Sequence, residues 1–296
     1  MPPLSAAFDL LLALALAPLL PGVVARVKAL FAGRQGQPLR QAYFDLAKLL
    51  RKGAVYSTTT GWVFRAGPIV SLAAVVAGLL IVPAAARQSL FSFTGDVVLL
   101  AYMLAVSRFA TVVAALDTGS SFEGMGASRE VHFAALAEPA LLLGVLALSL
   151  KAGSLRLSSL LHAASPLAPE VALVAAAFAI VLLVENCRVP FDDPDTHLEL
   201  TMVHEVMVLD HGGPDLAFVL YGASLRLWLW SALLVGVLLP APLHALPLAG
   251  VLGVLLVAVG IGVVESTLAR VRLLRVPNLI ATALVLSAVA FILGVR

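Results

Sequence analysis

Apolar residues along this chain run almost unbroken for about twenty positions at a time, instead of recurring at amphipathic spacing. A helix needs about 20 such residues to cross the hydrocarbon of a bilayer. Eight stretches qualify, at about 4–25, 65–86, 96–116, 132–150, 168–187, 216–239, 246–268 and 276–295. The first has no basic residue ahead of its apolar run, carries Asp9 and continues through Val24. It therefore reads as a retained helix and not as a secretory signal. The pattern predicts an all-α, polytopic membrane protein of about eight transmembrane helices, one integral membrane domain over residues 1–296.

Polar residues concentrate in three connections, 26–64, 117–131 and 188–215, while those on the opposite side are short and nearly featureless, such as 241–245. Within the first, Tyr43–Lys52 places Phe44, Leu46, Ala47, Leu49 and Leu50 broadly on one helical side. That predicts a helix lying along the membrane surface or against a partner. The second contains Gly119–Gly126, glycine-rich but without the lysine or preceding strand of a phosphate-binding loop, and it reads as an ordering loop. Matching halves or paired broken helices, the usual pointers to a secondary transporter, are not evident.

Composition agrees with the spans. Of 296 residues 61% are hydrophobic and 12% charged, with a mean hydropathy of +1.04; a soluble domain carries roughly 25% charged residues. The net charge of +2 gives no reason to invoke nucleic acid, and the single cysteine, Cys187, excludes an internal disulfide. Placing the first long connection, through Arg65, in the cytoplasm carries every second connection with it, including the one holding Arg270, Arg272 and Arg275, and puts thirteen Lys and Arg inside against four outside. That bias orients the protein with both termini outside.

Charged groups within spans are costly and mark functional sites. Five stand out: Arg108 near mid-span, Glu138 in the fourth span, Glu185 at the end of the fifth, Arg226 in the sixth and Glu265 near the inner end of the seventh. The two arginines are expected as intramembrane partners of the carboxylates. Low dielectric disfavours the charged form of a carboxylate, the property a proton relay needs.

The segment from Glu185 to Asp215, ENCRVPFDDPDTHLELTMVHEVMVLDHGGPD, is the densest in chemistry. From Asp192 to Asp215 it holds seven acids and no Lys or Arg. Pro190 and Pro194 should break the helix just past the span, with a second helical piece from about His197 to Val208. His197, Glu199, His204 and Glu205 offer donors for zinc or iron, but their spacing matches no H-E-x-x-H pattern. The segment is read as a partner interface, formed by Asp193, His204, Glu205, Asp210, His211 and Asp215, and not as a metal centre.

The run from Glu185 to Trp228 resembles the membrane subunit of formate hydrogenlyase and related energy-converting nickel–iron hydrogenases, a family homologous to the quinone-proximal membrane subunit of respiratory complex I. Supporting pieces are Asp45–Leu50, Asp117–Arg129 and Glu265–Arg272. The complex I pattern of Glu, Arg, Pro, Phe and Asp falls on Glu185, Arg188, Pro190, Phe191 and Asp192. Its acidic continuation reaches Asp195 and Glu199, with His197 where complex I commonly has an acid, and its arginine–glutamate pair falls on Arg129 and Glu138. The part after Glu199, with His204-Glu205 and Asp210-His211, looks like the hydrogenase branch.

The resemblance implies a coupling subunit, with Glu138, Glu185, Glu199, Asp192, Asp195, His197, Arg129, Arg188 and Glu265 along an ion pathway for protons or sodium. It implies no cofactor in this chain, and a nickel–iron centre and iron–sulfur clusters in partners. Those partners would be hydrogenase large and small subunits and iron–sulfur subunits on the cytoplasmic side, with antiporter-like subunits in the membrane. The implied location is the prokaryotic cytoplasmic membrane. Two alternatives stay open: a complex I-type quinone-proximal subunit, and a stand-alone ion-coupled secondary transporter.

Overall fold

The computed structural model describes residues 4–83, 89–192, 202–240, 242–243 and 246–295. Arg87, Asp193, Asp195, His197, Glu199 and Arg296 lie outside them. The described residues form twelve α-helices, one short 3-10 turn and no strand. In order they are α1 (Leu4–Leu16), α2 (Leu19–Phe31), α3 (Gln41–Leu50), α4 (Trp62–Ile81), α5 (Asp96–Asp117), α6 (Ser121–Ala152), α7 (Leu157–Ala163), α8 (Pro169–Glu185), α9 (His204–Met207), α10 (Gly213–Leu238), α11 (Pro247–Thr267) and α12 (Val276–Val295). Six helical stretches are long and apolar enough to cross a membrane, and the bent pair α1–α2 makes a seventh. The eighth predicted span is α8, with 17 residues, about 25 Å of helix. The protein is a multi-pass membrane protein.

The first span is not one straight helix over 4–25. It bends by 51° between Leu16 and Leu19, because Pro18 has no N–H and cannot continue the helix ladder. The carbonyls this frees find other donors: Tyr221 Oη bonds the Leu14 carbonyl at 2.9 Å, and Tyr43 Oη bonds that of Ala15. Tyr43 thereby ties α3, the helix expected from the amphipathic run, to the break. The bend also carries α2 on to Phe31, so residues 26–31, read as connection, are helical.

The connection 117–131 also differs from expectation. Only 118–120 are non-helical, and α6 begins at Ser121 and runs for 32 residues, about 48 Å. Gly119 takes φ 70°, the left-handed turn glycine adopts without strain. Gly126 serves a different purpose inside α6: a Cβ there would stand 2.4 Å from Val206 and 2.8 Å from the Val203 carbonyl, so its bareness lets the α9 segment press on the helix. The piece expected as a helix from about His197 is helical only at His204–Met207 among its described residues.

On the opposite side, the connection after α6 is not featureless. It holds α7, whose Leu157, Leu160 and Leu161 are fully buried in the main core, and the Leu157 N–H donates to Asp96 at 2.7 Å. Helix α10 is the most buried candidate span, with Leu225, Leu227, Leu229 and Trp230 among the largest fully buried side chains. Helices α4, α8 and α11 pack on α10, α12 closes over α6 and α8, and α5 lies along α4.

Candidate functional site: an arginine held by three carboxylates

Helix α8 is short, and it ends at Glu185 inside the bundle. Counting 1.5 Å per residue from the ends opposite the polar connections, Glu185 lies about 24 Å in, Arg108 about 18 Å and Glu138 about 21 Å. That common depth brings the three together. Arg108 Nη2 donates to both Glu185 carboxylate oxygens, at 2.5 and 2.6 Å, and Nη1 donates to Glu138 at 2.6 Å. A third carboxylate, Glu130, stands 3.5 Å from Arg108 Nε. The planar guanidinium suits this task, because its donors fan outward in one plane and bind carboxylates bidentately. Arg108, Glu130 and Glu185 are largely buried, whereas the Glu138 side chain is half-exposed.

Arg226, expected as a second ion-pair partner, donates to a hydroxyl: Nη2 reaches Ser107 Oγ at 2.8 Å. Ser107 lies 2.8 Å from Ser71 Oγ, and Thr111 donates to Ser71 at 3.3 Å. Adjacent residues of α5 thus serve two polar systems, Arg108 toward the carboxylates and Ser107 toward the hydroxyls. Arg226 is close enough to act electrostatically on Glu185. With all groups ionised, three carboxylates face two arginines, leaving one negative charge in excess. One proton or one monovalent cation would neutralise the set.

Glu265 belongs to a different group, paired with Lys28 at 3.3 Å and Arg188 at 3.4 Å. Asp192 forms a third: it pairs with Arg270 at 2.8 Å and accepts the Val203 N–H at 2.9 Å. Around it, the Val271 N–H donates to the Pro190 carbonyl at 3.0 Å, and Arg129 donates to the Met202 carbonyl at 2.7 Å. Arg129 therefore anchors the acidic segment at Met202. Farther on, the Asp210 N–H donates to Glu123 at 3.2 Å, and the His211 ring stacks on Phe64 at 4.0 Å. His211 and Asp215, expected at a partner interface, are packed inside the chain, and Asp210 is exposed.

A cavity of about 270 Å³ lies among α2, α3, α10 and the break after α8; Gln41, Glu185, Arg188, Asp192, His204 and Arg226 are among its lining residues. Glu205 is there too. His204 sits on this wall with its imidazole drawn down to about 4, first by desolvation and then by Arg226, with Asp192 opposing. The folded state thus keeps it neutral where the unfolded chain would protonate it. Its contribution to stability is full above pH 6.5 and is lost as pH falls toward about 4. On acidification through that window, the thermal midpoint of a purified His204→Gln variant should therefore fall less than that of the parent. An unchanged acid limb would contradict the assignment.

Glu185 also lines a second cavity, of about 240 Å³, together with Arg108 and Glu138. The arginine–carboxylate cluster thus stands between two spaces, one among the polar connections and one on the α5–α6 face. Among the described residues, no group of three or more His, Cys, Asp or Glu side chains is placed to share a metal ion. Glu130 was missed in the sequence because 117–131 reads as a loop; once α6 begins at Ser121, Glu130 falls two turns before Glu138 on the same side.

A multi-pass helical bundle with a buried arginine–carboxylate cluster defines the class, and comparison with known proteins places it. Residues 5–295 match the NADH dehydrogenase family, and the chain belongs to that family. It is 32% identical over 293 residues to hydrogenase-4 component C of Escherichia coli (strain K12), covering 94% of this chain and 91% of that protein. It is also 32% identical over 278 residues to formate hydrogenlyase subunit 4 of the same organism, covering 90% of each. A subunit of the NADH-quinone oxidoreductase of Anaplasma phagocytophilum (strain HZ) is 30% identical over 216 residues, 67% of this chain and 62% of that protein. The fold matches a chain of the membrane-bound sulfane sulfur reductase, an archaeal respiratory membrane complex, with a TM-score of 0.83 over 98% of both chains at 21% identity.

Proposed function

We propose that this chain is the membrane anchor and coupling subunit of an energy-converting hydrogenase complex of the formate hydrogenlyase type. Its polar connections face the cytoplasm of a prokaryote and hold a redox module of hydrogenase large, small and iron–sulfur subunits. The nickel–iron centre and iron–sulfur clusters belong to that module, and antiporter-like subunits adjoin in the membrane. The observation that carries the reading is the position of Glu185, which binds Arg108 and lines both cavities. Kinship with two hydrogenase-complex components supports it.

In this reading, a change in the docked module moves residues 186–192 and 202–212. They are pinned at Asp192, Met202 and Asp210 to α6 and to the turn before α12. Movement there alters the hold of Arg108 on Glu185, and with it the affinity of the cluster for its one neutralising proton or sodium ion. Redox state and ion occupancy then share a coupling free energy. Purification of the complex from its native membrane tests the assignment. The expected result is stoichiometric companion subunits carrying nickel and iron; a chain that purifies alone and transports ions alone would contradict it.

A second reading is supported by the 270 Å³ cavity, which has apolar walls at Pro21, Leu46, Leu220 and Leu227 and polar groups at Gln41 and His204. An amphipathic ring compound such as a quinone fits that chemistry, in keeping with the kinship to an NADH-quinone oxidoreductase subunit. Quinone reduction by the purified complex would favour this reading over the hydrogenase one.

A further inference from the structure

Asp96 opens α5 at the end opposite the polar connections, and it is fully buried. One carboxylate oxygen accepts the Leu157 N–H at 2.7 Å, which fixes the start of α7. An uncharged oxygen would serve that bond as well. The other oxygen, Oδ2, has no partner of hydrogen-bond geometry among the described residues. Burying a carboxylate with an unmatched oxygen is costly, and such a group calls for a second role. The exposed Arg156 guanidinium stands close enough to act on it from the surface.

Between Asp96 and the Arg108 cluster lies a line of voids. Asp96, Leu100, Leu104 and Arg108 recur every four residues, so they form one slowly turning row on α5, about 18 Å long. Beside the row is a cavity of about 20 Å³, walled by Leu, Val and Phe alone, with Val97, Leu100 and Leu157 among them. Leu104 and Leu141 line both this void and the 240 Å³ cavity that holds Arg108, Glu138 and Glu185. At its other end the void reaches Val97 and Leu157, the residue after Asp96 and the residue bonded to it. About 10–15 Å³ suffices for one water, but apolar walls give that water no hydrogen bond and the void stays dry. Apolar constrictions gate ion paths in this way, by dewetting. On the cluster side, Trp230 walls the larger cavity. It is 1% exposed, with its indole N–H unpartnered among the described residues, and this donor can hold a water beside the leucines.

We propose that Asp96 ends the ion path on the face opposite the polar connections, and that Leu104 and Leu141 form a dry gate between it and the Arg108 cluster. When the leucines part and the void wets, a proton released by the cluster crosses on a transient file of water. Asp96 takes that proton up, hands it to water beside Arg156 and returns to its ionised form. A sodium ion would meet no oxygen ligand in the gap, so the path carries protons. The inference rests on the proposed function for the ion site itself. It adds that the ion leaves through this chain, by a named carboxylate.

The purified complex in sealed vesicles tests the path in two ways. Asp96→Asn keeps an oxygen for the Leu157 N–H and removes titration. Assembly should persist, while proton uptake per redox turnover falls to the leak of protein-free vesicles. Leu104→Asn places a polar group in the gate. Under an imposed pH gradient without redox turnover, it should leak protons where the parent is tight, with sodium flux at the parental level. Adding Asp96→Asn should make it tight again. Leu141→Asn repeats the test from α6 if the first gate variant does not accumulate. Parental uptake in Asp96→Asn, or a leak that survives its addition, would overturn Asp96 as the outlet; with Glu138 and Glu185 still required for uptake, the functional reading would stand. Parental tightness in both gate variants would overturn the gate. A parent complex that moves no ions would overturn both the outlet and the functional reading.

Discussion

Arg108→Leu is expected to cost the fold about 3–5 kcal/mol, the range for removing one partner of a buried ion pair. Its guanidinium is bonded to Glu185 and Glu138 and stands beside Glu130. Without it, three carboxylates share one site with only Arg226 near, and any that stay ionised repel each other at low dielectric. Accumulation of the variant in membranes should fall sharply, and its thermal midpoint in detergent should drop. Combining Arg108→Leu with Glu185→Leu should recover much of the loss, because it removes the charge left most deeply buried. A single variant as stable as the parent would mean that the carboxylates are neutral without the arginine.

The second large effect is expected at Asp192, whose side chain is 3% exposed. One oxygen pairs with Arg270 and the other accepts the Val203 N–H. Three stretches far apart in sequence therefore meet at one carboxylate: the break after α8, the approach to α9 and the turn before α12. Asp192→Ala leaves the partly exposed Arg270 and the buried Val203 N–H without that partner, a cost of about 1–3 kcal/mol that comes mainly from the unsatisfied N–H. The damage should stay local, since the spans themselves do not depend on it. Limited proteolysis should cut the variant between residues 202 and 212 where the parent resists, and the peripheral module should detach on purification. Parental protease resistance would show that Arg129 and Glu123 suffice to hold the segment.

The spans could be read from the sequence because lipid imposes one simple demand, a long apolar run with its backbone bonds satisfied internally. That demand located six of the eight spans to within five residues of their ends, and the two exceptions have particular causes. Pro18 broke the first span where apolar character alone continued through it. The start of α6 was hidden because Ser121–Arg129 is polar, and a helix projecting beyond the bilayer carries no apolar run. The same blindness concealed Glu130. Arg108, Glu138 and Glu185 stood out as charges in apolar surroundings, yet their meeting on one guanidinium depends on the shortness of α8 and on the packing of α5 beside it, both tertiary facts. Arg226 bonding a serine hydroxyl, and Glu265 pairing with Lys28 from α2, belong to the same category. The acidic segment was legible as chemistry but not as shape. Its described residues fold back onto α6 through Arg129 and Glu123, with His211 stacked on Phe64 and the carboxylates of Asp192 and Asp215 turned inward.

The central claim is that ion movement depends on titration within the Arg108 cluster. Glu185→Gln and Glu138→Gln keep the size and hydrogen-bonding capacity of each side chain while removing its titration. The decisive measurement is ion uptake per redox turnover by the purified complex in sealed vesicles. The account predicts that both variants assemble and turn over electrons while uptake falls to the leak of protein-free vesicles. Uptake at the parental ratio in either variant would remove that carboxylate from the pathway, and in both it would contradict the account.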